Sequence, residues 1–94
     1  MKVGIINVTG YAGIELARIL HGHPEADVVS VTGRSAAGRE IGDELPHLER
    51  LGITIEEEIT KSVDIVFSAL PQVVSAEACV PFVRAGVKVV DISA

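Results

Sequence analysis

Along the chain, short runs rich in β-branched residues alternate with longer stretches in which hydrophobic residues recur with the period of a helix. Five runs predict strands, at residues 2–6, 27–32, 53–56, 64–69 and 87–92. The first, fourth and fifth runs lack polar alternation, which is typical of central strands that are buried on both faces. Strands that alternate with helices indicate βαβ units and therefore a parallel sheet.

The first helical stretch, residues 12–21, has an apolar stripe on one side and charged residues on the other. The apolar residues are Leu16, Ile19 and Leu20. We expect the helix to end at Gly22 in a left-handed conformation, with Pro24 just beyond it.

The second helical stretch is predicted at residues 75–85, with Ser75 as its N-cap. Pro81 removes one backbone donor, so we expect an interruption there, and Gly86 closes the stretch. The excursion at residues 33–52 has only weak periodicity, and its length is typical of a binding loop or a small local helix.

Right-handed crossovers between these elements predict the strand order 3-2-1-4-5 in one Rossmann-like, doubly wound α/β domain that occupies residues 1–94. The carboxyl ends of strands one and four then flank the switch point, where a ligand is expected to bind. We expect the sheet to be incomplete at its C-terminal side, because a dinucleotide domain usually has a sixth strand and a covering helix.

Composition narrows the possible functions. The 94 residues are 48% hydrophobic but only 3% aromatic, and the formal charge of −5 argues against a nucleic-acid or anionic-membrane partner. No apolar run has the length of a membrane span, and we expect a cytoplasmic protein. Cys79, the single cysteine, is expected to be a small apolar residue on a helix face, and no cluster has the spacing of a metal site.

A glycine-bearing turn connects the first strand to the first helix. Backbone N–H groups at a helix N-terminus attract a pyrophosphate; Gly10 lets the phosphate approach, and Gly13 lets the helix pack closely on the sheet. Asn7 stands where the dinucleotide fingerprint normally opens with glycine. Asn tolerates a left-handed backbone, but its side chain occupies space, so we expect weaker cofactor binding than in a glycine-first relative.

Two further turns complete the predicted site. The second strand ends in Arg34 and Ser35 rather than in a carboxylate, a pair suited to the 2'-phosphate of NADPH. The turn after strand four should border the nicotinamide half of the cofactor. Together the three turns supply the predicted cofactor-binding residues Thr9, Gly10, Tyr11, Ala12, Gly13, Arg34, Ser35, Ala69, Leu70 and Pro71.

Four segments taken together resemble the N-acetyl-gamma-glutamyl-phosphate reductase family in order and spacing. They are residues 3–5 (VGI) leading to 9–13 (TGYAG), then 32–38 (TGRSAAG), 66–71 (VFSALP) and 86–94 (GVKVVDISA). The resemblance spans essentially the whole chain. This sequence departs from the family at Asn7, and at Gln72, where relatives often have histidine.

The resemblance implies an NADPH-dependent reductase of arginine biosynthesis that converts an acyl phosphate to a semialdehyde. In that family the cysteine nucleophile and the acid/base histidine belong to a later domain, which also holds the substrate. No catalytic residue is therefore expected in this chain, and the full-length protein is expected to be a homo-oligomer.

Three alternatives remain open. A sister reductase acting on N-acetyl-aminoadipyl or aspartyl phosphate would share this domain. An epimerase or short-chain reductase would need a Tyr-x-x-x-Lys pair. Four residues after Tyr11, where the motif requires lysine, this chain has Glu15. A free-standing dinucleotide-binding module without chemistry should complete its sheet, so we expect a fragment of a longer enzyme.

Overall fold

The computed structural model describes residues 1–33, 37–46, 49, 52–59, 61–70 and 72–92. The elements follow one another as β1 (Lys2–Ile6), α1 (Tyr11–His21), β2 (Asp27–Thr32), α2 (Ile41–Glu44), β3 (Ile55–Glu56), β4 (Ile65–Ser68), α3 (Gln72–Arg84) and β5 (Lys88–Asp91). The two predicted helices are present, and α2 shows that the long excursion contains a small local helix.

The five strands form one parallel sheet in the order β3-β2-β1-β4-β5, which confirms the predicted Rossmann-like topology. Ile6 pairs with Ser68, so β1 and β4 end at the same level on either side of the switch point. The prediction that β5 is central is wrong for this sheet, because β5 pairs with β4 at the edge and is partly exposed. Its apolar run resembles that of a central strand because periodicity does not reveal how many neighbours a strand has.

Two local irregularities modify the sheet. β3 begins at Ile55 rather than at residue 53, because Thr54 instead pairs with Glu40 in an isolated antiparallel bridge. In β2 the register with β1 shifts so that Gly4 pairs with Ser30 directly after the pair of Val3 with Val28. This bulge places Val28 and Val31 on the same face of the sheet.

The larger core lies on the face covered by α1 and α2. Its buried residues are Val3, Ile5, Val8, Ala17, Val28, Val31, Ile41, Leu45 and Ile55. Leu16 and Leu20 pack against it as predicted, but Ile19 is 56% exposed. Ile14 and Ala17 contribute instead, because they share the turn-by-turn spacing of Leu20 along the buried stripe.

The end of α1 differs from the prediction. Gly22 has φ −86° and ψ −3°, a right-handed conformation that any residue can adopt, and its N–H bonds to the carbonyl of Leu20. Pro24, two residues further on, is the stronger stop signal because it cannot continue the helix.

The smaller core lies on the opposite face, between the sheet and α3, and contains Ile6, Val63 and Val66. α3 is one continuous helix, so the predicted interruption at Pro81 is wrong. Pro81 is exposed to solvent. Water can therefore donate to the carbonyl four residues earlier, which has no amide partner because proline lacks an N–H. Gly86 follows the helix, as predicted, and has a left-handed backbone with φ +80°.

The prediction that Ser75 caps α3 is also wrong. The helix begins at Gln72, which places Ser75 in its first turns, fully buried. Its hydroxyl lies 2.6 Å from the hydroxyl of Ser68, the last residue of β4. Ser75 therefore joins the helix to the sheet instead of satisfying the helix N-terminus.

Among the helices that the structure describes, not one combines the length and apolarity needed to cross a bilayer. Cys79 is buried on α3 with a free thiol, as the composition suggested.

Candidate functional site

The turn between β1 and α1 combines a left-handed residue with an uncapped helix N-terminus. Asn7 has φ +64°, which is the left-handed conformation predicted for it. Gly10 is the N-cap of α1 with an extended backbone, and no side chain caps the helix. The amides of the first turn, from Tyr11 to Gly13, are thus without an intrahelical partner and carry the positive end of the helix dipole.

Gly13 permits the close approach of α1 to β1. A Cβ built on Gly13 would overlap the carbonyl oxygen of Asn7 and would come within 2.9 Å of the Cα of Val8. Both atoms belong to the backbone, which cannot move aside without displacing the turn. The glycine that was predicted to allow close packing therefore lets the start of α1 lie directly against the backbone that follows β1.

The end of β2 contacts the glycine turn directly. The N–H of Asn7 donates to the Oγ1 of Thr32 at 3.2 Å, and the N–H of Val8 donates to its carbonyl oxygen at 2.8 Å. A Cβ on Gly33 would lie 3.4 Å from the Oγ1 of Thr9, so the Thr9 side chain lies against this strand end. Arg34 and Ser35, predicted to hold a 2'-phosphate, lie outside the described residues.

The end of β4 meets the same turn from the other side. The N–H of Ala69 donates to the carbonyl of Ile6 at 3.0 Å, and the carbonyl of Ala69 accepts from the Nδ2 of Asn7 at 3.2 Å. Leu70 packs in the smaller core. Pro71, the third residue predicted in this turn, is not among the described residues.

A cavity of about 570 Å³ opens beside these turns, between α3 and the segment that follows β3. Its apolar lining includes Ile6, Ile59, Leu70 and Phe82, while Asn7, Thr32 and Gly33 line it at the strand ends. The volume is within the range of small-molecule pockets, and a mostly apolar lining with a few polar groups is typical of them.

The cavity contains residues that the sequence analysis did not single out. Ala78, Phe82 and Ala85 on α3 line it, and their spacing of four and three residues marks one helix face, a signal that the sequence contains. Glu57 and Glu58 also line it, beside the end of β2. Their approach depends on the pairing of β3 with β2, which residue spacing alone does not reveal.

Across the part of the chain that the structure describes, no group of three histidine, cysteine, aspartate or glutamate side chains is placed to hold a metal ion.

The exposed pair of Arg18 with Glu15, at 2.8 Å, raises the pKa of Arg18 through its hydrogen bond and then through charge attraction. That pair lies on α1 among exposed residues, away from the lining of the cavity.

Comparisons with known proteins agree with this geometry. Residues 2–94 match the family described as semialdehyde dehydrogenase, NAD binding domain. An N-acetyl-gamma-glutamyl-phosphate reductase of Dehalococcoides mccartyi is 50% identical over 93 residues, which are 99% of this chain and 27% of that protein. The reductase of the same description from Marinobacter nauticus is 42% identical over 98 residues, covering all of this chain and 28% of the relative.

A solved structure of similar fold extends the comparison. Aspartate semialdehyde dehydrogenase with NADP from Candida albicans superposes with a TM-score of 0.82 and 28% identity, over 98% of this chain and 29% of that one. The chain thus spans less than a third of the length of these proteins. With the family matched along residues 2–94, the chain belongs to the NAD-binding domains of the semialdehyde dehydrogenase family.

Proposed function

We propose that this chain is the NADPH-binding domain of an N-acetyl-gamma-glutamyl-phosphate reductase, a cytoplasmic enzyme that reduces the acyl phosphate to the semialdehyde in arginine biosynthesis. The observation that carries the proposal is the uncapped N-terminus of α1, where Gly13 lets the helix lie against the backbone that follows β1 at the switch point of a parallel sheet. The identity to reductases of that description, 39–50%, exceeds the 28% identity to the aspartate enzyme.

In this proposal the pyrophosphate lies on the first-turn amides of α1, and the adenosine extends past the end of β2. The cavity between α3 and residues 57–59 then receives the adenine ring, because its apolar lining adjoins Thr32 and Gly33 at that strand end. Arg34 and Ser35 follow directly in sequence and are proposed to bind the 2'-phosphate through charge-assisted hydrogen bonds.

The chemistry of the enzyme requires groups that we assign to the remainder of a longer protein. A cysteine thiolate that displaces phosphate needs a neighbouring base and an accessible position, whereas Cys79 is buried on α3. We propose that a second domain supplies the nucleophile, the acid/base histidine and most of the substrate pocket, and that the complete enzyme is a homo-oligomer.

Cofactor choice is tested by titrating the chain with NADPH and with NADH, in the parent and in Arg34→Ala. Hydrogen bonds to charged groups contribute about 1.5 to 3 kcal/mol, so the variant should bind NADPH about tenfold to a hundredfold more weakly. Binding of NADH should hardly change. Equal losses for both cofactors would mean that Arg34 supports the fold rather than the phosphate.

The adenine position is tested with a pair of substitutions on α3. Ala78 lines the cavity, whereas Ala76 is exposed on the same helix. Ala78→Leu should fill the cavity and weaken both cofactors alike, and Ala76→Leu should leave both unchanged. If Ala78→Leu folds and binds NADPH as the parent does, the adenine lies elsewhere.

The absence of chemistry is tested by NADPH oxidation with N-acetyl-gamma-glutamyl phosphate. We expect the 94-residue chain to show none. Activity that is lost in Cys79→Ser would instead identify a nucleophile within this chain and would refute the division of roles.

A further inference from the structure

Asn7 contacts the ends of both strands that flank β1. Its N–H donates to Thr32 at the end of β2, and its side-chain Nδ2 donates to the carbonyl of Ala69 just after β4. We propose that Asn7 is a positioning residue of the cofactor site, whose side-chain amide holds the turn after β4 against the glycine turn before any cofactor binds. The inference rests on the proposed function.

The backbone of Asn7 does not by itself require this side chain. Glycine adopts φ +64° without strain, and asparagine is the residue with a side chain that adopts this conformation most readily. What asparagine adds is the partly buried hydrogen bond to Ala69, 62 positions further along the chain. The side chain therefore fills the space that glycine would leave open, and it connects two loops that lie far apart in the sequence.

The amide also determines what position 10 can hold. A Cβ on Gly10 would lie 3.0 Å from the Nδ2 of Asn7, tighter than ordinary van der Waals contact. Gly10 thus leaves room for the amide as well as for a phosphate. The side-chain amide of Asn7 thus lies between Gly10 and the carbonyl of Ala69.

The consequence concerns the cofactor as a whole. A dinucleotide crosses the switch point, with its pyrophosphate on the glycine turn and its nicotinamide half beside the turn after β4. A hydrogen bond that already connects the two turns lowers the entropic cost of ordering them when a long ligand binds. A ligand that reaches only the adenosine side gains nothing from it. This reverses the expectation from sequence that the side chain merely crowds the pyrophosphate.

The test is Asn7→Gly, which keeps the left-handed backbone and deletes the bond to Ala69. Calorimetric titrations of the parent and the variant use two probes, NADPH and adenosine 2',5'-bisphosphate, which lacks the nicotinamide half. We expect NADPH to bind about tenfold more weakly, the equivalent of one hydrogen bond, and the bisphosphate to change less than twofold.

Other outcomes overturn the inference in distinguishable ways. Tighter or unchanged NADPH binding would mean that Asn7 occupies ligand space or does nothing for the cofactor. Equal losses for both probes would mean that Asn7 supports only the fold or the phosphate turn. If the parent chain binds neither probe, the proposed function itself fails.

A second measurement decides the matter if the variant does not fold. In the NMR spectrum of the parent chain without cofactor, we expect one Nδ2 proton of Asn7 to exchange slowly with solvent, and addition of NADPH should leave that rate nearly unchanged. Fast exchange that slows only when NADPH is added would show that the cofactor makes the connection, and the inference would be wrong.

Discussion

The two faces of the sheet are built differently. On the α1 face nine buried hydrophobic residues form one cluster, whereas the cluster on the α3 face has only three among the described residues. A cavity of about 570 Å³ lies beside α3. One face therefore supplies most of the hydrophobic stability, while the other keeps apolar surface available to a ligand.

The turns at the carboxyl ends of the strands connect the two faces. Gly13 brings α1 close on one side, and Asn7 reaches Ala69 on the other. The well-packed α1 face thus supports these turns beside an incompletely filled cavity. The following predictions separate the two roles, in order of decreasing effect.

The largest effect is expected from neighbouring residues of β1 that point to opposite faces. Ile5 is fully buried in the larger core, whereas Ile6 is 8% exposed and lines the cavity. In urea denaturation, Ile5→Ala should lower the free energy of unfolding by about 4 kcal/mol and Ile6→Ala by about 2 kcal/mol, because truncation beside existing space loses fewer contacts.

Only Ile6→Ala should also weaken NADPH binding. If Ile5→Ala does not fold, Ile5→Val and Ile6→Val provide the same comparison at about 1 kcal/mol. Equal losses at both positions would show that the α3 face is packed as tightly in solution as the α1 face.

A smaller effect is expected where α1 approaches the sheet. Gly13→Ala should lower the free energy of unfolding by about 3 kcal/mol, because its Cβ would meet backbone atoms of Asn7 and Val8 that cannot give way. Thermal denaturation measures the loss. The control is Gly22→Ala at the other end of the helix, where the nearest atom is 3.8 Å away and φ is −86°.

Gly22→Ala should be neutral or slightly stabilising, because alanine restricts the unfolded chain more than glycine does. A Gly13→Ala variant as stable as Gly22→Ala would contradict the close approach of α1 to β1.

The hydroxyl pair between β4 and α3 should have an intermediate effect. Ser75→Ala leaves the buried hydroxyl of Ser68 without its partner, and we expect a loss of about 2 kcal/mol. Replacing both serines by alanine should recover much of that loss, since neither polar group then remains buried and unpaired. If the single and double variants are equally destabilised, the two hydroxyls do not act as a pair.

The smallest effect concerns the charge around the cavity. Glu57 and Glu58 line it, and a dinucleotide phosphate carries the same sign. Replacing both by glutamine should tighten NADPH binding by about twofold at low ionic strength, and the gain should vanish in 1 M salt. The double variant Glu25→Gln, Asp27→Asn removes the same two charges at the other end of β2, serves as the charge-matched control and should change nothing.

Much of the fold could be predicted because its signals are local. The apolar runs of β1 and β2 have the predicted bounds, and the alternation of strands and helices gave the sheet order through the handedness of the crossovers. The strand, glycine turn and helix that surround Gly10 and Gly13 lie within twenty residues of one another, so their arrangement depends on few distant contacts.

Two of the errors arise where packing, rather than local propensity, decides the position of a residue. Ser75 suits a helix N-cap by composition, yet α3 begins at Gln72 and Ser75 lies buried beside Ser68. Ile19 fits the apolar stripe, but the position of α1 on the sheet leaves it exposed. Propensity describes what a residue can do locally, and packing chooses among those options.

The sequence by itself determined the parallel sheet, the left-handed backbone of Asn7 and the glycine that admits α1, because each depends on backbone sterics and short-range periodicity. Only the tertiary structure decided that the Asn7 amide reaches Ala69 and that Glu57 and Glu58 line the cavity. Those contacts exist because parallel strands bring their carboxyl ends to one edge of the sheet, whatever the distance between them along the chain.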